Sequence, residues 1–305
     1  MKMILKNLIL SVLMGVTVCG MGGCAKKITV VDEIPAEYRK PVEDGGGTVT
    51  RFTYPTKDYF GTMEEIEKEA YIYLPPNYDE SKKYNVVYLL HGIGGDVWEW
   101  GMTNDNSDVK KMMDNLIANG DIDPFIVVTP NGRSAKNHSS NSDSGSFYLF
   151  GQELRNDLVP YVDANYATYA AYYDGYDITE ARYHRAIAGL SMGGMQTTNI
   201  GLCECLDMFS YFGGFSSCPT TYNAEEIAKK LENFPDYDIK YFYNLCGTDD
   251  GIAMWSHSAA MEGLCDKTDK LTDGKNFLWQ TRSGGHDFNI WFLGFYNYAQ
   301  IVFTQ

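Results

Sequence analysis

The chain has 305 residues, 40 acidic against 25 basic for a formal charge of −15, and 44% hydrophobic residues. That apolar share supports a real core, and the length suits one large domain or two small ones. The basic residues form no cluster that would draw in a polyanion, which argues against a nucleic-acid partner, and 14% aromatic content argues against a disordered chain.

The first residues read as an export signal. Lys2 and Lys6 precede the apolar run from Leu8 to Val18, about ten residues where a spanning helix needs roughly 20. Met21-Gly22-Gly23-Cys24 places small residues before a cysteine, the pattern of a bacterial lipoprotein signal with Cys24 lipidated; plain secretion is the alternative. The membrane then serves only as a tether through the lipid anchor. The expected division is a signal peptide over 1–23, a flexible tether over 24–47 that ends in Gly45-Gly46-Gly47, and one catalytic domain over 48–305. The five later cysteines, Cys203, Cys205, Cys218, Cys246 and Cys265, are odd in number and have apolar neighbours. They read as buried thiols with at most one disulfide, and no metal is expected because Cys203 and Cys205 lack partner ligands at metal spacing.

Along the rest of the chain, strand and helix patterns alternate. Glu69 to Leu74 alternates as a strand, and Val86 to Leu90 is a continuous apolar run of the buried parallel kind. Ser107 is placed to cap a helix through about Ala118, and Phe125 to Val128 is the next buried strand. Leu149 to Val162 has apolar residues at helical spacing despite Pro160, and Ala186 to Ala188 is a short strand. Helices are expected over 192–203 and 224–232, strands at Ile239 to Leu245 and Phe277 to Thr281, a helix over 252–265 between those strands, and a last helix from 288. Repeated β-α units of this kind imply a single doubly wound, mostly parallel α/β sheet flanked by helices.

The chemistry appears at Gly189-Leu190-Ser191-Met192-Gly193. A buried strand runs into this pentapeptide and a helix follows, the setting that lifts a serine hydroxyl onto a strained elbow. The flanking glycines are needed because a Cβ there would crowd the turn. On this topology the serine is followed by the acid and then the histidine, so only His257 and His286 lie late enough to act as base. His257 falls inside a predicted helix, where a half-exposed structural role is the ordinary one. His286 follows a strand and Gly284-Gly285, and a loop there can carry the imidazole to Ser191. The acid is expected in the loop Cys246-Gly247-Thr248-Asp249-Asp250-Gly251, where periodicity does not separate Asp249 from Asp250; the other aspartate would cap the following helix. Oxyanion donors are expected at the backbone N–H of Met192 and in His91-Gly92-Ile93-Gly94-Gly95, at Ile93 first, with Gly92 or Gly94 as alternatives. His91 is read as a hydrogen-bonding support of that loop.

Together, Tyr71-Ile72-Tyr73-Leu74-Pro75-Pro76, His91-Gly92-Ile93-Gly94-Gly95, Arg185 through Gly194 and Gly285-His286-Asp287-Phe288-Asn289-Ile290-Trp291 resemble carbohydrate esterase family 1, most of all the feruloyl esterase domains of bacterial xylanases. The resemblance spans roughly residues 48 to 303. It implies an α/β-hydrolase fold, Ser191 as nucleophile, His286 as base, Asp250 as acid, and no cofactor. It also implies a plant cell-wall polysaccharide, feruloylated or acetylated xylan, as the partner. Feruloyl ester hydrolysis is the leading expectation. Deacetylation of xylan or cleavage of another ester, such as a siderophore, is the alternative within the same chemistry, and a catalytically dead carbohydrate-binding lipoprotein the one outside it.

Three further stretches bear on substrate. Trp98 and Trp100 either stack on a sugar or aryl acyl group or pack in the core. Ser134 to Ser146 follows a strand's C-terminal end, the side on which such sheets bind ligands. The tyrosine-rich segment from Ala167 to Arg182 reads as a surface loop packed by its own rings, or as a substrate platform.

Overall fold

The continuous apolar runs lie at the centre of the sheet, where helices cover both faces and an alternating pattern would bury polar side chains. In the computed structural model, which describes residues 30–170 and 175–304, eight strands form one sheet in the order β1-β2-β4-β3-β5-β6-β7-β8. They are Thr48–Lys57 (β1), Glu65–Leu74 (β2), Val86–Leu90 (β3), Ile126–Pro130 (β4), Arg185–Leu190 (β5), Tyr211–Phe215 (β6), Tyr241–Gly247 (β7) and Phe277–Arg282 (β8). β2 pairs antiparallel with β1 and β4, and every other pair is parallel. This is the expected α/β-hydrolase architecture. The segment expected to be an export signal, with Cys24, lies outside the described residues.

Helices α1 (Asp108–Ala118) and α7 (Phe288–Ala299) cover one face, with Met112, Leu116, Leu293 and Phe295 packed in a core with Val87, Leu89, Ala186 and Phe215. The opposite face carries the remaining helices over Tyr88, Leu90, Ile187, Phe212 and Phe242. They begin with α2 (Phe150–Glu153) and α3 (Val159–Asn165), which flank a π-helical turn at Leu154–Leu158. Pro160 supplies no amide to an i−4 bond, and the wider register just before it absorbs the misfit. Next come α4 (Met192–Met195), which continues as π-helix over Gln196–Leu202, then α5 (Ala224–Leu231) and α6 (Met254–Met261). Ser107 caps α1 as expected, accepting from the Lys110 amide.

Two strands escaped the sequence reading. β1 is an edge strand with little burial, which tolerates Pro55. β6 contains Gly213-Gly214, a pair that ordinarily marks a turn. Here both are strand residues because neighbours crowd them: an added Cβ would sit 2.9 Å from the Tyr298 ring at Gly213 and 2.5 Å from Asn244 Oδ1 at Gly214.

The flexible tether expected up to residue 47 does not hold over 30–47. Ile34 is buried, the Val31 amide donates to Asn297 Oδ1 at 3.0 Å, Gln280 donates to Asp32 at 2.9 Å, and the Tyr38 hydroxyl donates to Asp121 at 2.6 Å. The glycines serve close packing: a Cβ on Gly46 would meet the Asp114 carboxylate at 2.6 Å, and the Gly47 amide donates to Asp114 at 2.8 Å. In the tyrosine-rich segment, Tyr172 and Tyr173 lie outside the described residues. Tyr169 stacks on His184 at 3.6 Å and Tyr176 donates to Asp163 at 2.6 Å. The segment leads into the start of β5, the end of that strand opposite Ser191, so the described part is a surface loop rather than a substrate platform.

Candidate active site

Ser191 occupies the single residue between β5 and α4, with φ 51° and ψ −111°. A non-glycine residue there is strained, and the strain persists because the surroundings over-determine it. Its amide donates to Phe215 O at 2.9 Å, and its carbonyl accepts from Met195 at 3.0 Å and Cys218 at 3.1 Å. The flanking glycines are fixed by backbone packing. A Cβ on Gly189 would lie 2.6 Å from the Gly193 carbonyl carbon, and one on Gly193 would lie 2.6 Å from Leu90 O.

The loop after β8 brings His286 to this elbow. Its Nε2 is 3.0 Å from Ser191 Oγ and its Nδ1 is 2.8 Å from Asp250 Oδ2. With Nδ1–H donating to the carboxylate, Nε2 is the acceptor for the serine hydroxyl. Asp250 Oδ1 accepts from the amides of Ile252 at 3.0 Å and Ala253 at 2.8 Å. Burial alone would raise this carboxyl, but the hydrogen bonds from His286 and Ala253 outweigh it and hold Asp250 well below the usual carboxylate range. Asp249 instead accepts from Ser283 Oγ and the Gly284 amide at 3.3 and 3.2 Å, tying down the loop that carries His286. The helix-capping role expected of the other aspartate is filled by neither: α6 has Ala253 as its N-cap, without a side-chain cap, and Asp250 Oδ1 instead closes the turn that precedes it. The Trp291 ring meets the His286 ring edge to face at 5.1 Å and fixes its tilt.

His257 is fully buried rather than half-exposed. Its Nδ1 accepts from the Ser217 amide at 3.1 Å and its Nε2 faces Asn244 Oδ1 at 3.0 Å, while burial pushes its pKa down to about 3. It is a structural histidine. His91 is also buried and supports its loop: Nε2 accepts from the Gly132 amide at 3.0 Å, which leaves Nδ1–H to donate to Gly92 O at 2.7 Å.

That bond orients the Gly92–Ile93 peptide, whose N–H is the expected oxyanion donor. No group among the described residues accepts a hydrogen bond from the Ile93 amide. Met192 opens α4, and a first-turn amide has no intrahelical carbonyl to bind. The Gly92 amide donates to Glu99 Oε2 at 2.5 Å. Glu99 and Arg133, which holds the same loop from its other side, are residues the sequence reading missed. The available signal was Asn131-Gly132-Arg133 directly after the buried strand β4, on the ligand-binding edge of the sheet.

Of the two tryptophans, Trp98 is exposed. Trp100 is not a substrate residue: it is 1% exposed, donates its indole N–H to Leu90 O at 3.0 Å, and packs against Phe215, Phe288, Phe292 and Phe295. It holds the end of β3 from beneath. The segment following β4 does border the elbow, since Phe147 at its end forms a small apolar cluster with Met192, Met195 and Cys218. Cys203, Cys205, Cys218 and Cys246 are buried free thiols, and Cys265 is partly buried.

Residues 63–289 match the family model described as "Putative esterase". Endo-1,4-beta-xylanase Y of Acetivibrio thermocellus is 38% identical over 178 residues, 58% of this chain and 15% of that protein. An endo-1,4-beta-xylanase/feruloyl esterase of Xylanibacter ruminicola is 33% identical over 228 residues, 70% of this chain and 27% of its own length. This chain therefore spans about a quarter or less of those relatives. Among solved structures, the feruloyl esterase module from Clostridium thermocellum complexed with sinapinate is similar with a TM-score of 0.72 and 27% identity, covering 92% of this chain and 95% of that one. A family match over most of the chain, together with an elbow and hydrogen-bonded side chains of this geometry, makes the protein a member of the Esterase family with a fold similar to that of feruloyl esterase modules.

Proposed function

We propose that the protein hydrolyses hydroxycinnamoyl esters, feruloyl esters above all, on plant cell-wall xylan through an acyl-enzyme on Ser191. The observation that carries the mechanism is the line from Ser191 Oγ to His286 Nε2 at 3.0 Å and from His286 Nδ1 to Asp250 at 2.8 Å. His286 takes the hydroxyl proton as Ser191 attacks the ester carbonyl, and the Ile93 and Met192 amides receive the developing oxyanion. Asp250 stabilises the imidazolium and keeps its Nδ1–H in place. His286 then protonates the leaving sugar oxygen, and a water activated by the same imidazole releases the acid and restores the serine. The mechanism calls on no cofactor.

The acyl group and polysaccharide rest on the names of relatives, a xylanase/feruloyl esterase and a feruloyl esterase module bound to sinapinate. Export rests on Lys2, Lys6, the Leu8 to Val18 run and the small residues before Cys24. Purified protein incubated with feruloylated, acetylated arabinoxylan is expected to release ferulate in preference to acetate, and Ser191→Ala to release neither. Acetate without ferulate would replace the acyl assignment, and an active alanine variant would remove Ser191 from the mechanism.

A further inference from the structure

The loop that supplies Ile93 has nearly every backbone polar group committed. Gly92 N–H goes to Glu99, Gly92 O accepts from His91 and from the Gly95 amide, and both Ile93 O and Gly95 O accept from Arg133. The two amides at the tip, Ile93 and Gly94, lack a partner among the described residues, as does the Gly94 carbonyl. A Cβ on Gly94 would meet nothing within 4 Å, so the tip faces open space, whereas one on Gly95 would lie 2.2 Å from the Glu99 carboxyl. A loop whose two free amides are flanked by the committed carbonyls of Gly92, Ile93 and Gly95 is a donor site held in one orientation before any substrate arrives.

Arg133 accounts for most of that saturation. Its side chain is fully buried, and no carboxylate is in salt-bridge contact with it among the described residues, although the Asp96 and Glu99 charges act on it from further away. Nη1 donates to Gly95 O at 2.8 Å, Nη2 donates to Ile93 O and, at 3.3 Å, to Ser140 O, and the guanidinium lies 4.6 Å over the Phe147 ring. A buried guanidinium is costly unless its donors are used; here loop carbonyls take those of Nη1 and Nη2, while Nε has no partner among the described residues. The backbone beneath it is also fixed. The fully buried Lys68 donates to Arg133 O at 2.7 Å and Asn131 O at 2.9 Å, and is itself paired with the buried Glu153 at 2.7 Å.

We infer that Arg133 is the positioning residue of the oxyanion site: it ties the loop after β4 to the loop after β3 through the carbonyls of Ile93 and Gly95, and so aims the Ile93 amide at the place where the ester oxygen becomes negative. It touches no reacting atom. The inference rests on the serine-esterase reading above.

The test compares Arg133→Lys and Arg133→Met with the parent on 4-nitrophenyl acetate, with phenylboronic acid as a tetrahedral-adduct inhibitor and thermal unfolding as the fold check. A misdirected donor costs rate more than ground-state binding. Arg133→Met is expected to lose about 100-fold in kcat, with KM within about twofold and the boronate inhibition constant weakened in parallel. Arg133→Lys keeps the charge and some donors and is expected to recover about tenfold of that loss; should the methionine variant not fold, the lysine variant decides alone by the same parallel between kcat and boronate. The inference is overturned if kcat per folded protein stays at the parent value, or if KM alone rises. A parent protein without ester hydrolysis, or Ser191→Ala with parent activity, would instead remove the serine-esterase reading itself.

Discussion

Asp249 and Asp250 are adjacent carboxylates with different work, and the difference lies in what each oxygen faces. Both oxygens of Asp250 are committed, one to His286 and the other to the amides of the turn before the following helix, so its charge is held close to the imidazole. Asp249 faces the backbone of the returning loop. Replacing Asp250 by Asn leaves the volume but removes the charge that stabilises the imidazolium and the acceptor that selects its tautomer. Asp250→Asn is therefore expected to lower kcat by about 10⁴-fold. Asp249→Asn keeps an acceptor for the Gly284 amide and is expected to cost about 1 kcal/mol of stability with kcat largely retained. Steady-state kinetics and urea unfolding of the two variants separate these outcomes, and equal losses of kcat would dissolve the distinction.

At the scale of elements, the elbow shows why a short motif needs its surroundings. The turn from β5 into α4 is possible only because α4 passes against the backbone of β5 and the end of β3, at separations that leave no room for side chains on Gly189 and Gly193. Relief would require backbone rather than a flexible side chain to move, so Gly189→Ala and Gly193→Ala are each expected to destabilise by about 2–3 kcal/mol and to abolish turnover by displacing Ser191. Chemical denaturation together with ester hydrolysis measures both effects; an alanine variant with parent stability would show that the close approach relaxes without cost. The glycine pair in β6 and Gly46 against α1 are crowded instead by side chains, those of Tyr298, Asn244 and Asp114, and there too packing makes strand and strap of glycine-rich sequence.

Across the whole molecule, stability carries a pH dependence to which the two fully buried histidines, neither of them the proposed base, contribute most. Burial depresses His91 to about 4 and His257 to about 3, from an ordinary value of 6.5. Between 6.5 and those values the unfolded chain binds protons that the folded chain refuses, so the folded state loses stability as pH falls and is most stable, in this respect, above that window. Asp250, whose carboxyl is depressed instead, loses its contribution only at much lower pH and does not enter this range. Unfolding free energies measured from pH 7 down to 4.5 are expected to decline steadily, and His257→Gln, weaker at pH 7, to show a shallower decline. A parent protein with flat stability over that interval would mean that neither histidine is held neutral.

By itself the sequence determined the features whose physics is local: continuous apolar runs for strands covered on both faces, the serine elbow between strand and helix, and the chain order of serine, acid and histidine. It also suggested His91 as a loop support, since a histidine before glycines on the ligand edge has little else to bind. Tertiary structure decided whatever depends on two distant segments facing one another. Trp98 and Trp100 are two residues apart, yet one is exposed and the other lies under β3 because the aromatic residues of α7 arrive there. Residues 30–47 are polar and glycine-rich as a linker would be, and become a strap because α1, α7 and β8 offer them partners. For Arg133 the sequence offers only its place just after the buried strand β4, which says nothing of its partners. Its role exists only because parallel strands β3 and β4 end side by side, which places a guanidinium from one loop within reach of the carbonyls of the other.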